Sequence, residues 1–566
     1  MADKKGLEGI MSAMHAEIER SMSRLRMPHA KEIVPQYVSY CLTTNETLSI
    51  DSDLGCSGSE RKKDAYIEVE VRVGREGDIT SGHYRDMLGF YDSPSQDALR
   101  VVLWRFTDDI FKEAFKDYLR RKERRMETHT HLKEEQVHFH TAASVRHVEG
   151  RKQAGISEGD WEAIARECTA LFRQHPHINT SGFEMDVELE TRILVNSDGS
   201  EIKTSQRFYS IDLDASAIAV SGDSRKIENV IEVGRQFYVT HPSDLPTRQE
   251  VVKATEDVLE DMASLLEAPV QKPCDRPVIG DPEFSAQLLY TILGELLISR
   301  CSYLHYLEDR GLKKGDDIFP GFISVVDLPD RKTFTQPDGN RIHLNGHSRY
   351  DAQGIPAARI DIIRDGKVAG FPCTREYMAG LELPNGRARF SDDLVVPGVT
   401  NLFIRSSRTA LDDDLKEQLI AECESKGYDY GFFLEGALSS EFDLEENCYM
   451  MTPRMAYRVW ARDAVDEETG EKFSRGDMQL VSDVQAVGNP KMTLSYLKMT
   501  GEDFTAVVPS EVERKFFQES SGYFQGGDCS IISPSTYFSR MEVKKENYSK
   551  TRPPLLPHPL HDKKRR

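Results

Sequence analysis

The chain has 566 residues, of which 39% are hydrophobic and 30% charged, and its formal net charge is −21. That length exceeds what one hydrophobic core usually holds, so two or three domains are expected, and the composition excludes a disordered chain. The acidic balance speaks against a nucleic-acid binder, which needs Lys and Arg to displace phosphate counterions, and against docking on an acidic membrane surface.

No stretch reaches about 18 apolar residues, so no spanning helix is expected. The opening "MADKKGLEGIMSAMHAEIER" carries charges where a signal peptide needs a continuous apolar run, and reads as an amphipathic helix. The nine cysteines are scattered and never form C-x-x-C. This points to a reducing compartment, the cytoplasm, without a disulfide framework or zinc ribbon.

Next, "YVSYCLTTNETLSIDSDLG" and "YIEVEVRVG" read as strands. In the second, Ile67, Val69, Val71 and Val73 point one way and Glu68, Glu70 and Arg72 the other, which predicts a sheet with one buried and one wet face. Leu99, Val102, Leu103, Phe106, Ile110, Phe111 and Phe115 recur at helical spacing, and a further amphipathic helix is expected from about Ser157 to Gln174. "NSDGS" marks a hairpin between two alternating strands. Thr247 and Glu250 stand at capping-box spacing before another helix, which Pro269 and Pro273 end.

A domain boundary placed there gives an α+β protein. Residues 1–268 form an α/β domain with a mixed sheet and long helices. Residues 269–548 form a mostly-β domain, with the turn Asp365-Gly366 and few helices: the apolar run "QLLYTILGELLISR" and roughly Asp413 to Lys426. Residues 549–566, Pro-rich and basic, read as a flexible tail or a strap along the surface.

Several residue groups are candidates for chemistry. His129, His131, His138 and His140, with Glu134 and Glu135, have spacing that suits a transition metal on a strand, or else form a solvated polar linker. His343 and His347 flank the turn signal Asn345-Gly346, so their rings need not converge. No Gly-x-Ser-x-Gly elbow or Cys/His signature supports a nucleophile, and the Gly-rich run ending at Cys529 reads as a turn before a final strand. The run Gln287–Arg300 carries one acid near its middle, Glu295. A zinc-peptidase helix would place two His residues one turn apart with a Glu beside the first, and this helix has no His.

In order along the chain, "PQYVSYCLTTNETLSIDSDLG", "YIEVEVRVG", "ALRVVLWRFTDDIFKEAFKDYLRRK", "RYDAQGIPAARIDIIRDGKVAGF", "NGRARF", "VPGVTNLFI" and "SDVQAVGNPKMTLSYLKM" resemble the TldD/PmbA proteins, once called modulators of DNA gyrase and regarded as peptide-processing metalloproteases. In active members of that family a helix carries His-Glu-x-x-x-His, and a cysteine near the C-terminus adds a zinc ligand. Aligned on "LLYTILGE", the resemblance puts Tyr290 and Thr291 at the His-Glu pair and Glu295 at the second His, while Cys529 falls only roughly at the cysteine. The motif is therefore degenerate, no catalytic residue or cofactor is expected, and Glu295 marks a vacated site.

The resemblance implies a metalloprotease-like pseudoprotease, a subunit or scaffold that binds extended peptides or unfolded polypeptide in a dimeric chamber. It would be a homodimer or a heterodimer with a TldD/PmbA paralogue, with no nucleic-acid or membrane partner. The alternative is an active zinc metallopeptidase with a non-standard ligand set drawn from Glu295, Cys529, His343, His347 or His305. Direct binding to DNA or gyrase rests on the family's old name alone, and the −21 charge opposes it.

Overall fold

A computed structural model describes residues 2–75, 78–87, 95–128, 137–220, 227–301, 312–378, 383–391, 394–443, 446–466, 469–508, 512–514 and 529–545. The first part is built on helices α1 (Ala2–Arg24), α2 (Gln96–Thr128), α3 (Glu158–Phe172) and α4 (Arg248–Glu267). Its strands are β1 (Pro35–Asp53), β2 (Cys56–Arg75), β3 (Asp78–Met87), β4 (Val137–Phe139), β5 (Arg146–Val148), β6 (Thr180–Asn196), β7 (Glu201–Val220) and β8 (Ile227–Val239). Seven of these strands form one sheet in the order β3-β2-β1-β6-β7-β5, with β8 beside the outer half of β7. All pairings are antiparallel except β5 with β7, so the sheet is mixed.

Period-two alternation decides what covers this sheet. On one face, Val38, Tyr40 and Leu42 of β1 and Ile67, Val69, Val71 and Val73 of β2 pack against Met14 and Ile18 of α1 and Leu99, Leu103, Ile110 and Phe111 of α2. Farther along, Leu48, Ile50, Met185 and Ile211 pack against Trp161, Ala165 and Cys168 of α3 and Val251 of α4. The predicted caps and turns are present. Thr247 accepts from the Glu250 amide while the Glu250 carboxylate accepts from the Thr247 amide, closing the capping box of α4. Asn196 folds the β6–β7 hairpin by accepting from the amides of Asp198 and Ser200.

The expected wet face is not wet. Glu68, Glu70 and Arg72 are only 4%, 2% and 2% exposed. Residues from the second half of the chain lie over Glu70 and Arg72. Gln353, in the "YDAQGIPA" stretch, donates from Nε2 to both Glu70 carboxylate oxygens at 2.9 and 3.2 Å. Arg72 bonds Glu70 at 2.7 Å and also reaches Glu376. Arg375 donates to the His140 carbonyl at 2.9 Å, pairs with Asp198, and sits 4.4 Å from the ring centres of Tyr37 and Phe139. Strand 376–378 pairs with β4, so the backbone crosses the seam as well. Charge alternation reads as solvent exposure only when nothing else covers the face.

The second half forms a 15-stranded sheet around helix α5 (Pro282–Cys301). Phe284, Ala286, Leu288, Leu289, Tyr290, Ile292 and Leu293 of α5 are all buried in its core. An apolar surface on every side requires such enclosure. The long strand Ser530–Lys544 runs along α5 and pairs with strands 274–280, 401–403, 485–487 and 497–507. Helix α6 (Asp412–Lys426) packs outside, through Leu415, Leu419, Ile420 and Cys423. The architecture is α+β. Among the described residues no helix is long and apolar enough to cross a membrane.

Candidate functional site

Helix α5 starts at a tight junction. A Cβ on Gly280 would stand 2.5 Å from the Phe284 ring, so the strand can run into the helix only without a side chain there. Asp281 then caps the helix, its Oδ1 accepting from the amides of Phe284 at 2.7 Å and Gly436 at 3.1 Å. Burial pushes the Asp281 carboxyl up to about 6, against the pull of the Phe284 amide. Arg454 closes the entrance, donating to Glu283 at 2.9 Å and Glu435 at 3.1 Å.

Along the helix, Gln287 donates to the Ser440 hydroxyl at 2.6 Å. Tyr290 is buried at 6% exposed, within the apolar core. Thr291 is 2% exposed, and its hydroxyl donates at 2.9 Å to the Gln287 carbonyl one turn back. Cys529 is buried in the same core at 3% exposed. The side chain of Glu295 lies outside the described residues, as do His129, His131, Glu134, Glu135, His305 and residues 549–566. His138 has a described backbone in β4 but no described side chain, and His140 is half-buried.

Beside the start of α5 opens a cleft of about 1200 Å3. Asp281, Glu283, Gln287, Ser440 and Arg454 form one wall, and β8 residues 234–239 with Asp212 and Asp214 of β7 form the other. Burial pushes the Asp212 carboxyl up to about 6 as well, with the neighbouring carboxylates Glu184, Asp186 and Asp214 adding to it. The cleft thus runs between the two sheets, and both its walls carry carboxyls that hold protons more tightly than usual.

At the cleft margin the structure gathers a group that sequence spacing did not show. The His343 amide donates to Asp244 Oδ2 at 2.6 Å, and its Nδ1 lies 3.0 Å from the same oxygen. The His241 ring stacks on the His343 ring at 4.1 Å and 15°. One donor atom from each of His241, Asp244 and His343 lies within 4.8 Å of the others. Burial, and then the nearby His343, lower the His241 pKa and favour the neutral imidazole, the form that can ligate a metal. His347 does not join this group. It lines a second cavity with His343, across a turn whose Gly346 amide donates to Asn401 at 3.0 Å. "THPSDLP" carries no local mark of a site, because His343 lies 99 residues beyond Asp244.

Comparison with known proteins gives these features a setting. Residues 273–450, which contain α5, match the PmbA/TldA metallopeptidase C-terminal domain. Metalloprotease slr0863 of Synechocystis is 24% identical over 288 residues, 48% of this chain and 56% of that protein. The match thus spans just over half the length of that curated relative. Solved structures share the fold along nearly the whole chain. A candidate modulator of DNA gyrase from Bacteroides thetaiotaomicron matches with a TM-score of 0.58 at 14% identity, covering 95% of this chain and 98% of its own. One from Thermotoga maritima matches with a TM-score of 0.56 at 14% identity, covering 94% and 99%. TldE from Thermococcus kodakarensis gives 0.52 at 13%, covering 94% and 100%. Around α5 the chain is thus similar to the PmbA/TldA metallopeptidase C-terminal domain, and along nearly its whole length it shares the fold of these structures.

Proposed function

We propose that this chain binds extended peptides in the cleft between its two sheets without hydrolysing them, as a degenerate member of a metallopeptidase family. The observation that carries this reading is that the Thr291 hydroxyl is spent on its own helix beside a Tyr290 buried in the core. A catalytic zinc takes about three protein ligands and needs a base beside it. Tyr290 is buried in apolar core, and the Thr291 hydroxyl is bonded to its own helix. Neither fits a zinc site, α5 contains no histidine, and Cys529 alone does not make up the number.

The cleft itself supports peptide binding. Among the described residues β8 pairs with β7 and with no second strand, and its residues 234–239 line the cleft. An extended segment can add to such an edge through main-chain hydrogen bonds, reading backbone more than side chain. The carboxyls on both walls favour neutral or basic peptides. Assembly as a homodimer, or with an active paralogue, in the cytoplasm, belongs to the same proposal.

The test is direct. Protein purified without chelator is expected to hold far less than one zinc per chain and to leave an unstructured peptide intact. It should bind that peptide in a fluorescence-anisotropy titration. Methylating alternate peptide amides should weaken binding by about tenfold or more, since each lost main-chain bond counts for roughly 0.5–1.5 kcal/mol. Stoichiometric zinc together with chelator-sensitive cleavage would overturn the reading.

One observation favours a second reading, a working metallopeptidase with an unusual ligand set. His241, Asp244 and His343 stand close enough to share a cation at the cleft margin. On that reading His343→Ala abolishes both zinc retention and cleavage. On the favoured reading it changes neither.

A further inference from the structure

The protein's surplus of negative charge is reversed in one place. Where β6, β7 and the segment 343–352 meet, a cavity of about 460 Å3 is lined by six Lys and Arg side chains and only two carboxylates. Both carboxylates are already engaged. Glu149 bonds His147 at 3.1 Å and the Ser205 amide at 3.3 Å. Asp351 is buried and accepts from the amides of Gln353, Ile355 and Ala388. Arg192 pairs with Glu190 at 2.7 Å. Lys152, Arg207, Lys332 and Arg349 have no ion pair among the described residues. Arg207 spends one nitrogen on the Gln153 carbonyl at 2.6 Å.

These cations sense one another. Burial holds the Lys152 ammonium below its usual range, and the charge of Arg207 adds to this against Glu149. Burial, then the charges of Lys332 and Arg349, hold His347 down. Like charges gathered in a recess repel, and nothing in the apolar part of the wall relieves that cost. The chain keeps this concentration of cations although its net charge is −21. Beyond roughly 8–10 Å salt screens that net charge, so the field inside the cavity is set by its own lining.

We propose that this cavity is a binding site for a small polyanion bearing phosphate or carboxylate groups. Arg207 and Arg349 supply planar forks suited to bidentate contact with either group, and Lys152 and Lys332 supply point charges. The volume suits a compact ligand rather than a folded partner. The site is distinct from the peptide cleft, although His343 and Asn345 line both. Occupancy therefore offers a route by which a small anion alters peptide binding.

The experiment is calorimetric titration of the full chain with inorganic pyrophosphate and, separately, with citrate, at low ionic strength and at 0.3 M salt. Saturable one-to-one binding that weakens with salt supports the proposal, and the tighter probe tells phosphate from carboxylate chemistry. The double variant Lys152→Ala/Arg349→Ala removes two of these cations and is expected to raise Kd by about tenfold or more. Arg462→Ala breaks an exposed pair with Asp429 and is expected to leave Kd unchanged. Unfolding midpoints confirm that both variants fold. No saturable binding of either probe overturns the site, as does equal binding by the double variant, or binding that requires added Zn2+. None of these readouts depends on peptide hydrolysis or its absence.

Discussion

Thr291 and Arg72 are each 2% exposed, yet their polar atoms are used in different ways. Thr291 turns its hydroxyl back onto the carbonyl of Gln287, four residues earlier in the same helix. Arg72 reaches from the first sheet to Glu376, 304 residues away, and holds Glu70 on the same side. The two residues represent two regions. At Thr291 the polar group is satisfied within its own helix and the surroundings are apolar core. At the seam, charges are buried against partners from the other half of the chain. Helix α5 is packing, while the buried charges collect where the halves meet.

The sharpest way to break this comparison is to remove a seam charge. Arg72→Met keeps much of the stem but leaves Glu70 and Glu376 without their guanidinium. Breaking one side of a buried ion pair costs about 3–5 kcal/mol, most of it from the orphaned charge. Urea unfolding of the variant should show a loss of that size. A loss under about 1 kcal/mol would mean that the seam is wetter than described, and that its charges resemble a surface pair.

The same contrast explains what could be read from the sequence. The capping box of α4 needs only Thr247 and Glu250, and the Asn196 turn needs only its own amides, so both were visible locally. The all-round apolar surface of α5 announced its burial in the same way. Glu70 and Arg72 were misread because their partners Gln353 and Glu376 lie far along the chain, and alternation cannot tell water from a distant polar partner. His343 was noticed as a histidine, but its pairing with Asp244 and stacking on His241 depend on tertiary structure alone.

Asp281 tests the boundary between the two regions, since it caps α5 but faces the cleft. Its folded pKa is raised to about 6, so between about pH 4 and 6 the folded state binds more protons than the unfolded one. Ionising this group therefore costs stability. Its favourable contribution is complete below about pH 4 and is lost as pH rises through 6. Asp281→Asn keeps the capping oxygen and removes the titration. The variant should be more stable than the parent by about 1–3 kcal/mol at pH 7, with the gap closing near pH 4. A gap that stays constant from pH 4 to 7 would show that folding leaves the Asp281 carboxyl unshifted and well solvated.

The smallest expected effect is the most informative about α5. Thr291→Val exchanges a hydroxyl for a methyl at a buried position without changing the branching at Cβ. The Gln287 carbonyl keeps its helical partner, the amide one turn on, so nothing buried is orphaned. The lost side-chain bond and the gained apolar contact nearly cancel, and stability should move by no more than about 0.5 kcal/mol in either direction. Peptide affinity should not change. Were the Thr291 hydroxyl to serve chemistry, the variant would behave otherwise, because activity would fall while the fold held. If Thr291→Val abolishes a measurable cleavage, or if it costs more than about 1.5 kcal/mol, the hydroxyl has a partner beyond its own helix, and α5 is not merely core.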